Sequence, residues 1–124
     1  MTKYMEKKEV RFMLDLLFKD FNVKPVPITI RNVESTYGGH KIQIGLKARS
    51  TLKKLEDIIL HEFTHSLDWR KNGDKYRRKN GKGSYHDTTF TRLLEQVTNA
   101  WYGNSEKYQW SGEYPTVRKA HKDI

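Results

Sequence analysis

The chain has 124 residues, a net charge of +9 and no cysteine. That is the length of one domain, and it excludes disulfides and thiolate metal sites. No apolar run approaches the roughly 20 residues of a membrane span. The opening MTKYMEKKEV has no apolar stretch of the secretory kind. A cytoplasmic protein without membrane contact, with a monomer favoured, is the expectation. Leu, Ile, Val and Phe make up about 23% of the chain, just above the roughly 20% below which highly charged chains stay disordered. The core is therefore small, and a bound metal would help to tie it.

The first element is a helix over roughly residues 3 to 21. Val10, Met13, Leu14, Leu17 and Phe21 recur at three- and four-residue steps, and Asn22, Pro25 and Pro27 end it. PITIRNV (27–33) is short and β-branched. After STYGG, HKIQIGL (40–46) alternates Ile42, Ile44 and Leu46 with Lys41, Gln43 and Gly45, as a half-buried strand does. A second helix is predicted from Ser50 or Thr51 to Arg70, with Leu52, Leu55, Ile59, Phe63 and Leu67 on one face and Asn72-Gly73 as its end. A third begins near Asp87, with Ser84 and Asp87 as candidate caps and Phe90, Leu93, Leu94, Val97 and Trp101 as its stripe. No regular structure is assigned after Gly103, and 113–124 is expected to be a flexible tail. No repeat and no second domain is visible. Helix, strands, helix, helix in that order indicates an α+β fold.

HEFTH (61–65) lies in the second helix. Positions i and i+4 sit about 40° apart on a helical wheel, so His61 and His65 can offer two imidazoles to one ion. Zn²⁺ accepts such nitrogens at about 2.0–2.1 Å and tolerates an open fourth position. Glu62 is placed to act as general base on a water activated by the metal. Both histidines fall opposite the helix's apolar face, flanked by Asp57 and Asp68. A catalytic zinc usually has a third protein ligand, for which His40, His86, His121, Glu95 and the nearby aspartates are candidates. Extending the third helix backward aligns His86 with its buried stripe, whereas Glu95 lies about 140° from Phe90. His40 opens a strand and His121 sits in a charged tail, where a solvated histidine is the plainer reading. His86 is the choice. Asp68 either orients an imidazole or pairs with Arg70, Lys71 or Arg92. Phe63 and Trp69 read as packing residues, as does Tyr85, a weaker candidate for assisting zinc at the carbonyl.

LEDIILHEFTHSLDW, a loop, and GSYHDTTFTRLL together resemble the SprT-like (Spartan-type) metalloprotease domain. Members carry HExxH on one helix and a third histidine downstream, followed after a short gap by an aromatic, as Phe90 follows His86. A glycine-containing strand segment precedes the active helix, as TYGGHKIQIGL does. The resemblance spans roughly 35 to 95 and implies a single minimal zincin-like domain over 1–124. It implies about three helices and a small sheet whose edge strand holds extended substrate above the metal helix. It also implies Zn²⁺ on His61, His65 and His86, and hydrolysis of protein or peptide substrates, DNA-bound proteins among them. Many relatives add a zinc ribbon, for which this chain has no cysteine.

Residues 70–83, RKNGDKYRRKNGKG, hold seven Lys or Arg against one Asp. Arg70, Lys71, Lys75, Arg77, Arg78, Lys79 and Lys82 form a candidate phosphate-contacting loop, with non-specific nucleic-acid binding favoured over a solvated connector. The leading expectation is thus a zinc-dependent endopeptidase. Its rival is a basic nucleic-acid-binding adaptor with a structural or vestigial zinc site, against which Glu62 speaks because a structural site has no use for a base.

Overall fold

The computed structural model describes residues 7–31, 36–37, 42–45, 52–72 and 86–123. They form four α-helices, a three-stranded sheet and two 3-10 turns, an α+β arrangement. Contacts group the chain into two compact units, 1–66 and 67–124. Among the described residues no helix is long and apolar enough to cross a membrane.

In the first unit, α1 (Lys7–Asp20) buries Val10, Met13, Leu14 and Leu17 as their spacing requires, and Phe18 as well. Asn22 ends it in the left-handed region at φ 52°. Its N–H donates to Lys19 O and the Val23 N–H to Phe18 O, so the last carbonyls are satisfied by a Schellman turn. β1 (Ile28–Arg31) runs parallel to β3 (Ile42–Gly45), and β2 (Thr36–Tyr37) runs antiparallel to it. β3 is therefore the middle strand of the described sheet, with β1 and β2 on either side of it. Ile42 and Ile44 are buried, with Gln43 half-buried between them, which is the period-two pattern of a strand with one inward face.

α2 (Leu52–Asn72) carries HEFTH. Phe63 docks it on α1, with Phe18 edge-on at 5.5 Å between ring centroids and Phe21 at 5.6 Å. Its burial extends well beyond the expected apolar face. Leu60, Thr64, Ser66, Asp57 and Asp68 are buried together with Leu55, Ile59, Phe63 and Leu67. Thr64 fits because its hydroxyl donates back to Leu60 O at 2.7 Å, which satisfies its own buried donor.

In the second unit, α3 (Thr88–Tyr102) starts and stops where side-chain chemistry dictates. Asp87, in extended backbone, accepts from the Phe90 N–H at 3.0 Å. Gly103 ends the helix at φ 79°, where a Cβ would be strained, and its N–H donates to Asn99 O. The segment after Gly103, to which the sequence assigns no regular structure, is regular over much of its length. Two 3-10 turns, Ser105–Lys107 and Trp110–Gly112, lead to α4 (Pro115–Asp123). The first turn and α4 both pack against α3. Buried Tyr108 and Trp110 are admitted because their polar ends find acceptors, Glu113 for the Tyr108 hydroxyl and Ser105 O, at 2.8 Å, for the Trp110 indole N–H. The tail was illegible in the sequence because a 3-10 turn has no apolar period to read.

Candidate metal centre

On α2 the 3.6-residue repeat stacks His61 and His65 one turn apart, with ring centroids at 4.9 Å and planes at 76°. His65 is buried and His61 half-buried. Glu62, beside them, is buried, as are Asp57 and Asp68. Asp68 accepts from Asn72 Nδ2 at 2.5 Å. Carboxylates are removed from water only where hydrogen bonds or opposite charge compensate them. Three on the helix that carries two imidazoles make this a polar stretch built into the interior.

His86 reaches its place by a different route from the expected one. α3 does not extend back to it, because Asp87 caps the helix from extended backbone, so His86 precedes the first turn. Its ring is held by aromatic contacts: Phe90 edge-on at 5.2 Å and Tyr114 stacked at 4.0 Å, with planes 23° apart.

His61, His65 and His86 each offer one ring nitrogen, and all three nitrogens lie within 4.8 Å of one another. At the centre of an equilateral triangle of that side, an ion would be about 2.8 Å from each corner. A Zn–N bond is roughly 2.0–2.1 Å, so each ring must close by at most about 0.7 Å. Three neutral imidazoles are a donor set suited to zinc and other borderline divalent ions. The residues present therefore fit a metal held by three protein ligands.

The other candidates separate from this cluster. His121 is not a solvated tail residue. It is 17% exposed at the side chain, stacked on Trp110 at 3.8 Å, with Nδ1 3.5 Å from Glu95 and Nε2 3.5 Å from Glu106. Glu95, weighed as a ligand, belongs to that contact instead. His40, Ser84 and Tyr85, and Lys75, Arg77, Arg78, Lys79 and Lys82 of the basic loop, lie outside the described residues. Arg70 and Lys71 occupy the last turn of α2, where cations complement the helix dipole. In the sequence Tyr114 is one of three aromatics in the tail, with Tyr108 and Trp110, and nothing there ties it to His86. Its one signal was the Tyr-Pro step that opens α4.

The chain matches no protein-family model, no curated protein and no solved structure.

Proposed function

We propose that the protein is a zinc-dependent endopeptidase of zincin-like, SprT-like type. The observation that carries this reading is the convergence of the His61, His65 and His86 nitrogens within 4.8 Å, with buried Glu62 adjoining the first ligand in sequence. Zinc, when bound, supplies Lewis acidity toward water and toward the peptide carbonyl. The three histidines hold the ion and leave a coordination position for the reactants. Glu62 takes the proton from the attacking water as the carbon–oxygen bond forms. It returns that proton to the amine as the carbon–nitrogen bond breaks. Burial suits this role, because a base screened from bulk water keeps its orientation toward one proton.

The substrates in this reading are proteins or peptides, including proteins associated with nucleic acid. Arg70 and Lys71 begin the basic run that would hold phosphate.

The test is elemental analysis followed by proteolysis of an unfolded protein, with and without single-stranded DNA. Glu62→Gln keeps size and polarity but cannot accept the proton. It should retain one zinc per chain and lose turnover by at least about 10²-fold. Near-normal turnover in this variant overturns the mechanism. A nucleic-acid adaptor would instead bind DNA and cleave nothing in either form.

A further inference from the structure

Tyr114 is the most exposed large aromatic among the described residues after Phe12, with 55% of its surface open, yet its backbone is anchored on both sides. Before it, buried Glu113 accepts from the Tyr108 hydroxyl, and the Glu113 carbonyl accepts from Arg118 Nη1 at 2.6 Å. After it, Pro115 restricts Tyr114 to extended backbone. The Tyr114 carbonyl accepts the first helical bond of α4, from the Arg118 N–H at 3.0 Å. An exposed tyrosine that served only as surface would have no need of such fixing. Its ring lies at 4.0 Å on the imidazole of His86, nearly coplanar at 23°.

His86 needs this support more than the other two histidines do. They sit within a helix, whose backbone restricts their rotamers. His86 lies outside α3, just ahead of its Asp87 cap. Phe90 meets its ring edge-on at 83°, which blocks one direction of tilt, and Tyr114 covers a face, which blocks the other. Together the two aromatics define the plane in which the ring nitrogens lie.

We propose that Tyr114 is a positioning residue for the metal site, presetting the His86 imidazole through its stacked ring. The proposal rests on the metal-binding reading above. Groups that orient ligands from behind typically change metal affinity by about 10–100-fold when removed. A planar face is what does the orienting here, so the phenol hydroxyl is dispensable.

The experiment measures Zn²⁺ affinity by competition with a chromophoric chelator, and the visible absorption of the Co²⁺-loaded protein, which reads coordination geometry. Wild type, Tyr114→Phe, Tyr114→Leu and Tyr114→Ala are compared, with the metal-free thermal midpoint of each recorded. Tyr114→Phe should bind within about threefold of wild type with the same Co²⁺ spectrum. Tyr114→Ala and Tyr114→Leu should bind about 10-fold or more weakly, with altered Co²⁺ bands. Tyr114→Leu keeps apolar bulk without a planar face, so it decides the matter if the alanine variant loses its fold. Wild-type affinity in Tyr114→Leu overturns the proposal while leaving the metal site standing. Equal losses in Tyr114→Phe and Tyr114→Leu overturn it too, because the hydroxyl would then be responsible. A wild-type protein that takes up no zinc overturns the metal reading itself, and this inference with it.

Discussion

His86 and His121 both lie face-on against an aromatic ring, 4.0 Å from Tyr114 and 3.8 Å from Trp110. Stacking fixes the plane of each ring but says nothing of its task. Each nitrogen of His121 faces a carboxylate oxygen at 3.5 Å. An ionised carboxylate only accepts, so a ring N–H is the group that suits either contact. His121 Nδ1 and Glu95 Oε2 are both buried without a hydrogen-bond partner, so their approach is a loose electrostatic one. His86 instead brings a nitrogen to within 4.8 Å of two other imidazole nitrogens. Converging imidazoles have lone pairs to share, and a cation suits them. The neighbours, not the stack, separate a staple from a candidate ligand.

Removing each ring in turn tests this distinction most severely. His86→Ala should weaken zinc binding by at least about 100-fold, since losing a ligand costs more than losing its support. His121→Ala should leave zinc affinity within about threefold of wild type. Equal losses in a chelator competition would erase the contrast between the two histidines.

The converse holds for stability of the metal-free protein. His121→Ala removes a stacked ring from Trp110 and the group facing a buried oxygen of Glu95. It should cost about 1–2 kcal/mol in urea unfolding. No loss would mean that the contact is incidental.

The smallest effect belongs to the outer partner of the staple. The Glu106 side chain is 72% exposed, so water and salt screen its pairing with His121. Glu106→Gln should change stability by less than about 0.5 kcal/mol, fading with added salt. A loss comparable with that of His121→Ala would place the contact's energy on the exposed carboxylate.

What the sequence made legible was local. The His61–His65 pair follows from helical phase alone, the end of α1 from an asparagine ahead of two prolines, and β3 from strict alternation. His86 was selected for a reason the structure does not bear out. The helix does not reach back to it, and one of the two rings against its imidazole is Tyr114, 28 positions along the chain. Stacking between distant residues leaves no period to count, so neither Tyr114 nor the Trp110–His121 contact could be read in advance. The burial of α2 beyond its apolar stripe was hidden for a related reason. Thr64, Ser66, Asp57 and Asp68 lie off the apolar stripe, and only tertiary surroundings decide whether such positions are buried.

The left-handed turn at Gly103 has a kinetic consequence. It sends the chain back so that the first 3-10 turn and α4 meet α3, which lies just ahead of them in sequence. Contacts of short sequence separation carry a small loop-closure cost and form fast. The C-terminal segment, with Tyr114 stacked on His86, is therefore expected to close early in folding. In the metal-binding reading proposed above, an ion would then meet a third imidazole already held in its plane. The entropy of fixing that ring would be spent during folding and not at capture, which would favour uptake from a dilute supply of metal.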